Sequence, residues 1–88
     1  MPITVNVIVP IVHSNGTGRR ELLDQRCLAI DSLVAAGDAL AKASPHDRDY
    51  YPRGGDYCQA AHRQHERRVG ILQALIDELT AEAEALDT

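Results

Sequence analysis

The second half of this chain carries a seam that few folds can accommodate. Cys58, His62, His65, Val69, Leu72, Ile76, Leu79, Ala83 and Leu86 follow one another in steps of four and three residues, the heptad spacing that lays one helix straight along another. This spacing predicts a helix over 57–86, opened by Asp56 and Gln59 at capping-box separation. A first helix is predicted over 19–43. There Leu23, Cys27, Ile30, Val34, Gly37 and Ala41 take similar steps, and Leu22, Ala29, Leu33, Ala36 and Leu40 widen the stripe. Thr17 stands at the expected N-cap position. Ser44-Pro45 ends the helix, because proline lacks an N–H and disfavours helical geometry in the residue before it. The connecting loop, 44–56, reads SPHDRDYYPRGGD.

Ahead of the helices, residues 3–12 (ITVNVIVPIV) are rich in β-branched types. They read as a strand with Ile3, Val5, Val7, Val9 and Ile11 on one face and Ile8 and Val12 on the other. No second segment looks able to pair with it, so the expected partner is the same strand of another copy. The alternative is an ordered arm lying on a helix. The expected fold of residues 1–88 is therefore one mainly α domain: an antiparallel two-helix hairpin with an N-terminal β-strand, assembled as a homo-oligomer. Composition points the same way. A chain of 88 residues without Trp or Phe builds a thin core from Leu, Ile, Val and Ala, and two helices leave a flank of each bare. With only Cys27 and Cys58 present and no sign of an oxidising compartment, a disulfide staple is not expected.

The apolar start is broken by Asn6 and Pro10, and no Lys or Arg precedes it. It thus lacks the charged region of a signal peptide and is too short to span a bilayer, so a cytoplasmic protein without membrane attachment is expected. A net charge of −4 argues against DNA as a partner, since DNA binding needs a basic face to displace counterions. The charge is also uneven. From Asp77 onward there are five acids and no bases, while Arg63, Arg67 and Arg68 lie earlier.

Three groups of residues could carry function. Asn15-Gly16-Thr17 followed by Arg19 and Arg20 combines a helix start, a glycine that lets a ligand approach the backbone, and two guanidinium groups able to clamp a phosphate. An ordinary turn with solvated arginines has the same spacing. Arg48-Asp49-Tyr50-Tyr51-Pro52-Arg53-Gly54-Gly55 places two tyrosines between two arginines on a loop, offering ring faces to a nucleobase and charge to its phosphates. The competing reading has one tyrosine packed over the hairpin end and the other closing a turn. Cys58, His62 and His65 share one helix face and could hold a soft metal such as Zn²⁺. Three ligands on one helix rarely all face one ion, so these residues are read as setting register or meeting a ligand between subunits, and no metal is expected. Without a phosphate-binding loop or a nucleophile elbow, neither catalysis nor a cofactor is expected.

With these residues in view, the chain resembles a group of small phage and prophage proteins. Their pattern is an H-x-N-G-T segment opening a helix, a Leu and a Gln in its first turns, a helix ended near Pro, a D-Y-Y-P loop, and a second helix with an E-H-x-x-R-like stretch. It stands here as His13-Ser14-Asn15-Gly16-Thr17, Leu22 to Gln25, Ser44-Pro45, Asp49-Tyr50-Tyr51-Pro52, and His62 to Arg67, covering residues 13 to about 70. The chain departs from it in having His65-Glu66 in place of an E-H order and a long apolar N-terminal segment. The architecture also resembles phage sponge proteins, helical oligomers that sequester the nucleotide signals of bacterial CBASS or Thoeris immunity.

That resemblance implies binding, without hydrolysis, of a cyclic di- or trinucleotide or a cyclic ADP-ribose-type signal in an infected bacterial host. The sites would be shared between subunits of a homo-oligomer, for example a hexamer. On this reading Arg19, Arg20, Arg48 and Arg53 meet phosphates, Tyr50 and Tyr51 stack a base, and Asn15 and Thr17 hydrogen-bond ribose or base edges. Gly16, Asp49, His65 and Arg68 complete the expected ligand-binding set. The alternatives are a protein-binding inhibitor or adaptor that presents its heptad face, and a structural phage accessory protein. One constraint holds for the first reading. The N-G-T turn and the D-Y-Y-P loop lie at opposite ends of the first helix, so one copy cannot bring both to one small ligand. The acidic end of the second helix should lie near the N-G-T turn and weaken an anion site there.

Overall fold

Long runs of Ala, Leu, Arg and Glu, with proline confined to the loop and the N-terminal arm, favour two helices and one reversal. A computed structural model, which describes residues 6–87, has that order: α1 (Arg19–Lys42), two short 3₁₀ turns (Asp47–Asp49 and Tyr51–Arg53), and α2 (Gly55–Asp87). No helix among the described residues is long and apolar enough to cross a membrane. The helices are antiparallel, and their register is marked by specific pairs. Arg26 meets Glu82 at 2.8 Å, Gly37 lies under Leu72, and Ser44 reaches His65 at 3.1 Å. A step up one helix is matched by a near-equal step down the other.

The ends of the helices differ from the capping scheme expected from sequence. The N-cap of α1 is Gly18, with no side-chain capping bond, so Thr17 stands one residue outside the cap. α2 begins at Gly55, which places Asp56 inside the first turn, where its charge complements the helix dipole. Gly54 is the residue that permits this start. At φ 94° it adopts a conformation costly for any residue with a Cβ, and its carbonyl accepts the first helical bond from Cys58 N–H at 3.2 Å. At the other side of the loop, Ser44 Oγ donates to the Ala41 carbonyl at 2.7 Å, closing α1 one residue before Pro45.

The hairpin is a rod of 62 × 26 × 19 Å. With 24 residues in α1 and 33 in α2, the helices measure about 36 and 50 Å at the standard rise. The excess lies at the start of α2, and the loop folds back along it: Asp47 in the first 3₁₀ turn bonds to both Cys58 and His62. The seam of α2 is covered largely as its heptad spacing predicts. Leu86 and Cys58 are buried, and His65, Leu72, Ile76, Leu79 and Ala83 are half-buried, while His62 and Val69 face outward.

On α1 the covered face is turned from the expected one. Leu22 is buried and Leu23, Arg26, Ala29, Ile30, Leu33, Gly37 and Leu40 are half-buried, whereas Cys27, Val34, Ala36 and Ala41 are exposed. Two contacts account for the rotation. The Arg26 guanidinium turns inward to Glu82, with the two side chains only 21% and 15% exposed. Gly37 admits Leu72, whose Cδ2 would stand 3.4 Å from a Cβ at that position. The Arg26 and Glu82 pair leaves no mark in a hydrophobic stripe, and Gly37, although it stands in the expected stripe, does not there reveal Leu72 as its partner.

The expected β-strand is not seen. Ile3 and Val5 lie outside the described residues, and Asn6 to Val12 run without a β-ladder. A lone chain offers this segment no partner for its backbone groups, as the absence of a second strand-like sequence implied. Val7 and Val9 are half-buried while Asn6 and Ile8 are exposed, so period-two alternation persists over these residues; Ile11 departs from it at 82% exposed.

Leu86 and Leu22 are the most enclosed side chains of the hairpin, at 3% and 7% exposure. Leu86→Ala is expected to destabilise the protein by about 2–3 kcal/mol, the low end for a buried leucine because the surroundings can collapse. Glu82→Ala should cost about 1–3 kcal/mol by removing the acid that the half-buried Arg26 guanidinium bonds through Nε, leaving it only its bonds to Gln25 and the Leu22 carbonyl. Urea unfolding at one fixed protein concentration measures both.

Candidate functional site

The loop end of the hairpin gathers most of the chain's chemically versatile side chains. Asp47 arrives on the first 3₁₀ turn, while Cys58 and His62, one helical turn apart, arrive on one face of α2. A single carboxylate oxygen, Asp47 Oδ1, accepts the Cys58 thiol at 3.3 Å and His62 Nε2 at 2.7 Å. The bond from His62, followed by that from Cys58, holds the Asp47 carboxyl below its ordinary value of 3.8, with smaller help from the nearby charges of His62 and His46. Burial, followed by the bond to Asp47, pushes the Cys58 thiol up from its ordinary 9.0, so it remains a protonated thiol at neutral pH. Both cysteines are free, Cys27 exposed on α1 and Cys58 buried here.

Beside this cluster stands an aromatic and cationic platform. Tyr50 and Tyr57 pack with ring centroids 5.8 Å apart at 47°, and the Arg53 guanidinium carbon lies 4.8 Å over the Tyr57 ring. That distance is within cation–π range. Tyr50 and Tyr57, with Ala60, Ala61 and Gln64, line a hollow of about 260 Å³. Tyr51 points elsewhere. It is 67% exposed and, with Arg48, borders a second open hollow that includes His46 and Asp47.

The residues expected from sequence are therefore divided between two ends. Arg48, Asp49, Tyr50, Tyr51 and Arg53 lie together on the loop. His65 is nearby but is occupied by Ser44, and Arg68 is exposed farther along α2. Asn15, Gly16, Thr17, Arg19 and Arg20 lie exposed at the start of α1, about 36 Å away along that helix. Arg20 pairs with Asp24 at 3.8 Å and borders a hollow that also contains Glu84 and Asp87. The His13 ring lies against Gly16, where an added Cβ would meet its Nε2 at 2.8 Å. The approach to that glycine is thus taken by the chain's own imidazole, and the surrounding carboxylates oppose an anion.

Two participants were missed from the sequence. Tyr57, not Tyr51, partners Tyr50, and Asp47, not His65, completes the Cys58 and His62 group. Tyr57 falls off the heptad seam, which removes it from any core reading. Nothing in the spacing of Asp47 marks it as a partner of residues eleven and fifteen positions away.

A carboxyl with a depressed pKa binds its proton less readily in the folded than in the unfolded state. Its stabilising contribution is complete above the unfolded value and is lost as pH falls through the folded one. Asp47→Asn should therefore lower the melting temperature at neutral pH. The gap to the parent protein should close as the pH falls below 3.8, which thermal melts followed by circular dichroism will read; a gap independent of pH would show that Asp47 acts through packing alone.

No known protein family matches this chain, and no curated protein or solved structure is similar to it.

Proposed function

We propose that this protein is a homo-oligomeric, non-catalytic binding protein whose loop end takes an anionic ligand bearing a nucleobase. The observation that carries this reading is the Tyr50, Tyr57 and Arg53 platform, in which a guanidinium lies over one ring of an aromatic pair and the pair borders an open hollow. A planar base stacks on such rings whatever its hydrogen-bonding pattern, and Arg48 and Arg53 supply positive charge for phosphates. A cyclic oligonucleotide or an ADP-ribose-derived signal combines both features, which is the sponge role implied by the resemblance to phage proteins. The Asn15 to Arg20 segment is the weaker candidate for the same ligand because Asp24, Glu84 and Asp87 crowd it. It joins the loop site only if a neighbouring copy brings it there.

Assembly is supported by what the hairpin leaves bare. Leu28 is 69% exposed, and Val34, Val69, Ile71 and Leu75 are also exposed. Midway along the seam, Val34, Gly37, Leu40, Val69, Leu72 and Ile76 line an open groove of about 280 Å³. Gly37 is too small to fill this region from within. In the assembly, helices of other copies cover these faces, and the N-terminal arm, bare at Ile8 and Ile11, pairs with its counterpart as a strand. The same bare face also favours a second reading, in which a helix of another protein occupies it and the chain acts as an inhibitor or adaptor.

Light scattering should give a mass that is a multiple of 9.6 kDa. Leu28→Asp should reduce it while preserving helical content. Melting with a panel of cyclic nucleotides and ADP-ribose derivatives should then reveal a stabilising ligand, worth about 2.7 kcal/mol at a hundred times its Kd. Tyr57→Ala and Arg53→Ala should each remove that shift without changing the oligomer. Absence of a shift with every nucleotide would eliminate the ligand reading, and a folded monomer in dilute buffer would eliminate the assembly.

A further inference from the structure

We propose that Asp47, Cys58 and His62 form a site for one divalent transition-metal ion of the Zn²⁺ type, clasping the loop to the first turns of α2. The inference is independent of the nucleotide reading. It begins from geometry: one ligand atom from each residue lies within 4.8 Å of the other two. Metal bonds of about 2.0–2.3 Å place tetrahedral donors about 3.3–3.7 Å apart, so the cluster needs only small side-chain rotations to receive an ion. Two of the donors are held by the i, i+4 spacing of a helix, and the third comes from a different element. This removes the difficulty that three ligands on one helix present.

The donor set also has a chemical preference. Sulfur, imidazole nitrogen and carboxylate oxygen together suit Zn²⁺ and its Co²⁺ analogue and are poor ligands for Mg²⁺ or Ca²⁺, which take oxygen alone. A thiolate and a carboxylate would balance the two charges of the ion, with neutral imidazole as the third ligand. Three protein ligands leave a four-coordinate ion one position for water or an external anion. The entry path is open, because the His62 and Asp47 side chains are 46% and 57% exposed.

In the metal-free protein two protons hold the cluster together, one on Cys58 Sγ and one on His62 Nε2, both directed at Asp47 Oδ1. On binding, the ion takes the place of both. The thiol proton leaves to solvent, and the imidazole moves to the tautomer protonated on Nδ1, freeing Nε2 to ligate. Apparent affinity should therefore rise with pH as release of the thiol proton becomes easier.

The test uses the full chain without a polyhistidine tag, stripped with chelator and titrated with Co²⁺. The expected result is one ion per chain, with the intense visible bands of tetrahedral Co²⁺, a thiolate-to-cobalt charge-transfer band in the near ultraviolet, and loss of both on adding Zn²⁺. Cys58→Ser should abolish the charge-transfer band. Asp47→Asn, a nearly isosteric change at an exposed position, should weaken binding at least about tenfold, which is what loss of even an outer-shell partner costs. Cys27→Ser and His65→Ala should leave the spectrum unchanged. A spectrum that stays that of the hydrated ion overturns the proposal, as does a charge-transfer band that survives Cys58→Ser or disappears with Cys27→Ser.

Discussion

The structure depends on one constraint: two helices can cover only one face of each other. Among the described residues no side chain is fully enclosed, and only Leu22, Cys58 and Leu86 qualify as core. These lie near the two ends of the hairpin, while its middle opens into a groove. Hydrophobic stabilisation scales with the apolar area removed from water. A rod that leaves Ile8, Ile11, Leu28, Ile71 and Leu75 exposed gains less from that burial than one that encloses them, and this is what supports the proposal of an assembly.

The same thinness explains why polar contacts determine so much of the arrangement. Where a thick core would fix the rotation of α1 by packing, here the half-buried Arg26 and Glu82 pair and the approach of Gly37 to Leu72 do so. A charge pair held out of bulk solvent has to keep its geometry, since either partner alone would be left poorly solvated. The pair thus acts on register more than on total stability. It also decides which face of α1 remains outside, and with it the surface open to another copy.

The unequal helix lengths create the candidate site. Because α2 continues past the end of α1, its first turns have no helix beside them, and the loop folds back to cover them. That return path brings Asp47 to Cys58 and His62, and Tyr50 to Tyr57. Two candidate groupings therefore share one end of the rod and depend on the same loop conformation. Gly54, whose positive φ reverses the chain into α2, positions both.

The sequence by itself determined the two helices, their ends to within two residues, the loop, and most of the α2 seam. These features depend on local propensity, proline placement and the period of apolar residues, all properties of neighbours along the chain. It also identified the loop as the place where aromatic and basic residues concentrate. Only the tertiary structure decided which face of α1 turns inward, that Tyr57 rather than Tyr51 completes the aromatic pair, and that Asp47 rather than His65 joins Cys58 and His62. Those outcomes depend on the rotation of one helix about its axis and on the path of a loop in space. Contacts between distant residues set both, and no periodicity within a single segment encodes them.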